Sequence, residues 1–127
     1  MDTREKIVAP DAAAGLLKND AWTVVEGLFD PLTAAQAKRL AALCRDGRKL
    51  LAVILPGDNP LLSADARSIL IAALRVVDAV TIAGSARQII ASFNSELELI
   101  EDIDADAARS TEFVNFVLER HRLVAKL

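Results

Sequence analysis

The run Leu50-Leu-Ala-Val-Ile-Leu55 is continuous aliphatic sequence, and Pro56-Gly57 ends it. Its length and its ending are typical of a central strand in a parallel sheet, which is buried on both faces. A charged turn around Gly47 precedes the run, and helical patterns lie on either side of it. The sequence therefore predicts a strand between two helices, which is the repeating unit of an α/β fold.

The same alternation of strand and helix patterns continues outward along the chain. Further strands are predicted at residues 23–25, 80–82 and 97–100, and helices at 12–17, 33–43, from 63 onward, at 86–92 and at 110–124. No linker or repeat interrupts them, so we expect one domain over residues 1–127. The order predicts a doubly wound parallel sheet of about four to five strands with flanking helices.

Several local expectations accompany these elements. Asp11 is a candidate N-cap of the first helix, Thr33 of the second and Ser85 of the helix at 86–92. Cys44 is expected on the apolar side of its helix. For the helix that begins at Ser63, the following residues are expected to face the core: Ile69, Leu70, Ala73, Leu74 and Val77.

Composition narrows the class of protein. The chain has 127 residues, 53% of them hydrophobic, and a formal net charge of −3. Its charges are interspersed without a basic patch, so no nucleic-acid partner is expected. No apolar run approaches the roughly 18 residues that cross a bilayer, so no membrane partner and a cytoplasmic location are expected. A single cysteine, Cys44, excludes a cysteine-based metal site. The acids between Glu96 and Asp106 could form a hard-cation site, but they lack a calcium-loop spacing, so a solvated face and no metal site are expected. The only histidine, His121, is expected to suit the C-terminus of the last helix.

Doubly wound sheets bind ligands beyond the carboxyl ends of their strands, which directs attention to the first strand–helix junction. It reads Val25-Glu-Gly-Leu-Phe-Asp-Pro-Leu-Thr-Ala-Ala-Gln36. This segment resembles the signature of the cytidylyltransferase-like superfamily, in which a strand delivers Gly-x-Phe-Asp and His-x-Gly-His opens the next helix. The similarity is to the heptose-phosphate and glycerol-phosphate branch.

The resemblance covers most of the chain in the right order. Residues 47–54 are similar to that branch's second strand, residues 67–80 to its Arg-x-x-x-Leu-Ala-Ala-Leu-x-x-Val-Asp-x-Val pattern, and Ser110-Thr111 to the start of a late helix near the nucleotide. The resemblance implies a Rossmann-like nucleotidyltransferase fold. It also implies a nucleotide ligand, CTP or ATP with Mg²⁺ if the protein is active; no other cofactor follows from it.

The resemblance separates residues that shape the site from residues that would do the chemistry. Gly27 would permit a tight turn, Phe29 would pack under it, and Asp30 would tie the turn's backbone. Arg67 would hold the following helix and strand in place. The nucleotide-binding candidates that the resemblance implies are Gly27, Phe29, Asp30, Thr33, Gln36, Arg67, Ser110 and Thr111.

The sequence departs from the family at the reacting positions. Thr33 and Gln36 stand where the family has its two histidines, Ala35 where it has the glycine between them, and Glu26 where it has asparagine. Nucleotidyl transfer depends on positioning and on positive charge near the phosphoryl oxygens. Thr33 and Gln36 are neutral, so no residue is assigned as catalytic. These two residues could still bind a nucleotide without catalysing its transfer. Alternatively, they form an ordinary helix N-terminus.

Three functions follow as hypotheses. The first is a nucleotidyltransferase-like domain that has lost catalysis and acts as a binding, regulatory or oligomerising module, with a second copy or another protein as partner. The second is an active nucleotidyltransferase that moves a nucleoside monophosphate to a sugar- or polyol-phosphate and uses rearranged cations for the phosphate charge: Lys38, Arg39, Arg67 or Arg109. The third is an unrelated ligand- or protein-binding module on the same fold.

Overall fold

The structure, a computed structural model, describes residues 2–44, 47–90 and 98–101. A short 3-10 helix at Thr3–Lys6 precedes the alternating elements. These elements are α1 (Pro10–Leu16), β1 (Trp22–Gly27), α2 (Ala34–Leu43), β2 (Lys49–Ile54), α3 (Ala64–Ala72), β3 (Ala79–Ile82), α4 (Ala86–Ile90) and β4 (Glu98–Glu101). The predicted helix at 110–124 and the residues Arg109, Ser110 and Thr111 lie outside the described residues.

The described strands form one parallel sheet in the order β3-β2-β1-β4. Val25 of β1 is in register with Ala52 of β2 on one side and with Ile100 of β4 on the other. Ile7 adds an isolated parallel bridge to Val80, at the outer edge of β3. The predicted α/β class with a parallel sheet and flanking helices is confirmed, and a fifth full strand is not among the described residues.

Helices cover both faces of the sheet, because alternate strand residues point to opposite sides. On one face, Ala13 of α1 and Ile89 of α4 are buried against Val24 and Val53. On the other face, Leu40 of α2 and Ile71 of α3 are buried against a second set of aliphatic residues that includes Ala52. As Leu50 to Leu55 are all buried, β2 is the central strand that the sequence predicts.

Several local predictions are wrong. Ile69, Leu70 and Ala73 do not face the core: they are exposed, because α3 turns the opposite side, including Ile71 and Ala72, to the sheet. Of the other two residues predicted there, Val77 is buried and Leu74 packs against the core.

Two further corrections concern helix ends. Asp11 is not the N-cap of α1, since that helix begins with Pro10 after Ala9 and places Asp11 in its first turn. Proline suits the first helical position because it lacks the N–H that would be unsatisfied there. Cys44 is exposed rather than apolar-facing, because α2 ends at Leu43 and Cys44 is its C-cap. Ser85 does accept a hydrogen bond from the backbone of Arg87, as a residue at the start of α4 should.

Among the described residues, no helix is both long enough and apolar enough to span a bilayer.

Candidate functional site

The strand order places the candidate site between the carboxyl ends of β1 and β4. The chain leaves β1 toward β2 and β3, and then returns to place β4 on the opposite side of β1. The connections therefore diverge between these two strands, which is where open parallel sheets have their ligand crevice. The segment between Gly27 and Thr33 begins at this end of β1, and β4 ends beside it, with Glu101 in register with Glu26.

Thr33 and Gln36 are bonded to each other at the start of α2. The Thr33 hydroxyl accepts a hydrogen bond from the Gln36 backbone N–H at 3.2 Å, and the Gln36 side-chain oxygen accepts one from the Thr33 N–H at 3.0 Å. This reciprocal pair is a capping box, which satisfies two backbone donors at a helix start. Gln36 is also almost fully buried. The predicted N-cap role of Thr33 is thus confirmed.

The turn after β1 derives its shape from Phe29 rather than from Gly27. Gly27 is the last residue of the strand and is not in the left-handed region, whereas Phe29 has a φ of 49°. A positive φ is unusual for a bulky side chain and persists only where its surroundings impose it. The ring of Phe29 is buried in the core beneath the turn, as the resemblance implies, and the prediction for Gly27 is corrected.

Asp30 ties this turn to a distant segment rather than to its own backbone. Its two carboxylate oxygens accept hydrogen bonds from the backbone N–H groups of Leu61 at 2.6 Å and Leu62 at 2.8 Å. Asp30 is itself buried, so these charge-assisted bonds form with little competition from water. The carboxylate therefore joins the β1–α2 turn to the segment before α3.

Arg67 lies buried near the same carboxyl ends of the strands, with only 1% of its surface exposed. Its guanidinium donates to the carbonyl of Leu28 at 2.9 Å in the turn after β1, and to the carbonyls of Leu55 at 2.6 Å and Pro56 at 2.8 Å after β2. Its Nε donates to Leu62 at 3.0 Å. One side chain thus fixes three chain segments, and all three precede Arg67, whereas the resemblance implied a role in holding the helix and strand that follow.

Glu26 is a second buried acid of the site. Its Oε2 accepts a hydrogen bond from the backbone N–H of Ala86 at 2.8 Å, where α4 begins. In the sheet, Glu26 is in register with Val53 on one side and with Glu101 on the other. Sequence reasoning treated Glu26 only as a substitution for asparagine and missed this link to α4. The signal was a single acid within an apolar strand, which needs a partner when it is buried.

Thr81 is a second polar group buried on the sheet. It is in register with Val53, one strand beyond Glu26, and is completely buried. Within the part of the chain that the structure describes, its hydroxyl oxygen has no hydrogen-bond partner. Sequence reasoning did not single it out, since threonine is common in strands for its shape alone.

The candidate residues that the structure describes lie at the carboxyl ends of the strands. Their polar atoms form hydrogen bonds within the protein. Thr33 and Gln36 bond to each other, and Asp30 and Arg67 bond to backbone groups. Of the other cations considered for phosphate binding, Lys38 is exposed on α2 and Arg39 is half-buried there. Among the described residues there is no cluster of three or more acids, cysteines or histidines that could hold a metal ion.

Comparison with protein-family models gives no match to this sequence, and comparison with curated proteins also gives none. The fold and the site together therefore define an α/β domain with a parallel sheet. Hydrogen bonds connect the segments that follow the carboxyl ends of its strands.

Proposed function

We propose that this chain is a nucleotidyltransferase-like domain that has lost catalysis and acts as a binding, regulatory or oligomerising module. The sequence resemblance to the heptose-phosphate and glycerol-phosphate branch motivates the proposal. The β3-β2-β1-β4 order supports it by placing the degenerate motif at the edge where such sheets bind ligands. The partner would be a second copy of the chain or another protein.

The bonding of Arg67 is the observation that carries the proposal. Phosphoryl transfer needs positive groups aimed at the charge that develops on phosphoryl oxygens. Arg67 is one of the cations considered for that charge, yet its guanidinium lies inside the protein and donates to the carbonyls of Leu28, Leu55 and Pro56. A phosphate could reach it only by breaking those bonds.

The remaining charges at the edge also disfavour a triphosphate. The family's histidine positions hold the neutral pair Thr33 and Gln36, whose side-chain oxygens already accept hydrogen bonds at the helix start. Glu26 places a carboxyl group at the end of β1, and its oxygen accepts the backbone N–H of Ala86. An acid that accepts the helix N–H competes directly with an anionic ligand for the same kind of donor.

Calorimetric titration with CTP and ATP, with and without Mg²⁺, tests the proposal. We expect no heat of binding up to millimolar nucleotide. A matched variant that restores the family's residues, Glu26→Asn with Thr33→His, Ala35→Gly and Gln36→His, provides the comparison. Binding by this variant but not by the natural sequence would support the loss of a nucleotide site at this edge.

Nucleotide binding by the natural sequence would contradict the loss of a nucleotide site. Magnesium-dependent binding by the natural sequence in the micromolar range, together with pyrophosphate release when a sugar- or polyol-phosphate is added, would overturn the proposal. It would establish an active transferase with rearranged cations. Lys38→Ala and Arg39→Ala would then show which residue of α2 supplies the charge.

A further inference from the structure

The carboxyl end of β1 carries a carboxylate oxygen without a hydrogen-bond partner. Glu26 is 4% exposed, and its Oε2 accepts the backbone N–H of Ala86 at 2.8 Å, which holds the carboxylate in place. Its Oε1 accepts no hydrogen bond. Among the described residues, the hydroxyl of Thr81 is the one side-chain group that is both fully buried and unpaired, so Oε1 of Glu26 reaches the accessible surface. A fixed, unpaired acceptor at this edge is a candidate binding point.

The charge around this oxygen is uncompensated within the part of the chain that the structure describes. Glu101 of β4 is directly in register with Glu26, and no described lysine or arginine forms an ion pair with Glu26. Arg67 donates instead to the carbonyls of Leu28 and Leu55. Like charges at opposed positions of a sheet are destabilising, and a buried charge without a partner is costly. A cationic ligand would offset both costs.

The bonding of the carboxylate indicates which kind of cation fits. A guanidinium pairs best with both oxygens of a carboxylate, but Oε2 of Glu26 already accepts from Ala86. Calcium and magnesium ions take about six or more oxygen ligands, and the described residues hold no cluster of three or more acids, cysteines or histidines. A primary ammonium is a compact charge whose N–H donors can bind a single oxygen and still face a neighbouring acid.

We propose that the edge between β1 and β4 binds a small organic molecule through its primary ammonium group, which donates to Oε1 of Glu26. The acid at position 101 adds negative charge at the neighbouring register position. This inference names a ligand class for the binding role proposed above, and it rests on the loss of the triphosphate site at the same edge. The residue that disfavours a phosphate there is the residue that attracts the cation.

NMR titration of the full chain with n-butylammonium tests the proposal. We expect a saturable shift of the Ala86 amide resonance with a dissociation constant of roughly millimolar order, since the ligand has few atoms. Three matched probes should bind about tenfold more weakly or less. Tetramethylammonium has the charge without an N–H donor, 1-butanol has a donor without the charge, and n-butylguanidinium has a donor pair that needs both oxygens. Equal binding of tetramethylammonium would overturn the hydrogen-bonded site.

Three variants locate the site. Glu26→Gln retains an acceptor for Ala86 but removes the charge, and should weaken butylammonium binding by about tenfold or more. Glu101→Gln should weaken it by about fivefold through the lost attraction alone. Glu5→Gln removes the same charge from an exposed residue of the N-terminal 3-10 helix and should leave the affinity unchanged. Circular dichroism confirms folding, and Glu101→Gln supplies the measurement if Glu26→Gln is unfolded.

Several outcomes would overturn the inference: no saturable butylammonium binding, or binding that Glu26→Gln or Glu101→Gln leaves intact, or that Glu5→Gln weakens equally. Nα-acetyl-lysine amide distinguishes the source of the ammonium group, because its binding without butylammonium binding would overturn a small-molecule ligand. Titration of the same protein with CTP and ATP separates the two proposals. If neither nucleotide nor butylammonium binds, only the ammonium site fails, whereas magnesium-dependent nucleotide binding contradicts the proposed function itself.

Discussion

The side chain of Glu26 accepts a hydrogen bond from the backbone N–H of Ala86 at 2.8 Å and so connects the end of β1 to the start of α4. Both residues are buried. The contact joins the central part of the sheet to the helix that leads toward β4, the strand that completes the candidate ligand edge. The buried carboxyl group of Glu26 therefore has a structural role in this chain.

Removing this acceptor should destabilise the protein. Glu26→Ala leaves the Ala86 N–H buried without its partner, and we expect a loss of about 1–3 kcal/mol in the free energy of unfolding. Glu26→Gln keeps an acceptor oxygen and should lose less. Glu5→Ala, at an exposed glutamate of the N-terminal 3-10 helix, is the control and should change little. Urea unfolding measures all three, and equal effects of the two alanine variants would contradict the role of Glu26.

Arg67 should be required for folding stability rather than for phosphate binding. Arg67→Lys retains the charge but cannot bond to the carbonyls of three segments at once, so we expect a loss of about 2–4 kcal/mol. Arg75→Lys changes an exposed arginine of the same region and should stay within about 0.5 kcal/mol. The measurement is again urea unfolding. An Arg67→Lys protein of normal stability would mean that the guanidinium bonds contribute little.

The capping box at α2 makes a smaller and separable contribution. Thr33→Ala removes the oxygen that accepts the Gln36 N–H and should cost about 1 kcal/mol. Thr33→Ser retains that oxygen and should be close to the natural sequence. Thermal unfolding followed by circular dichroism compares the two. If both variants are equally stable, the hydroxyl is not an effective cap.

Two buried threonines should respond in opposite directions to the same change. The hydroxyl of Thr81 has no hydrogen-bond partner among the described residues, so Thr81→Val should raise the free energy of unfolding by about 1 kcal/mol. The hydroxyl of Thr23 accepts from Arg48 Nε at 3.1 Å, so Thr23→Val should lower it by about the same amount. Denaturant unfolding of the two variants reports the difference directly. A loss of stability in Thr81→Val would point to a partner for that hydroxyl.

The ion pair between Asp2 and Arg4 predicts a lowered pKa for the Asp2 carboxyl group. Hydrogen bonds from the Arg4 side chain and backbone lower the pKa of Asp2 from 3.8 to about 2. Because the folded-state pKa is the lower one, the contribution of this pair is present above pH 3.8 and is lost as the pH falls toward 2. Arg4→Ala should return the pKa of Asp2 toward 3.8. NMR titration of the Asp2 carboxyl measures this, and an unchanged pKa in the variant would contradict the hydrogen-bonded pair.

Much of the fold could be predicted because its signals are local. The aliphatic run at 50–55 with Pro56-Gly57 predicted β2, and Thr33 and Ser63 were readable as helix starts, which the structure confirms as N-caps. The side of α3 that faces the sheet could not be predicted. Its apolar residues lie on both sides of the helix, so periodicity alone did not distinguish the core face from the exposed one.

Residue type and local spacing are enough to predict an α/β chain with a parallel sheet. The partners of the polar residues depend instead on the tertiary structure. The guanidinium of Arg67 meets the carbonyls of Leu28 and Leu55, and the carboxyl group of Glu26 meets the N–H of Ala86. These partners are distant in the chain, and a buried polar group bonds to whichever backbone group the folded sheet brings within reach.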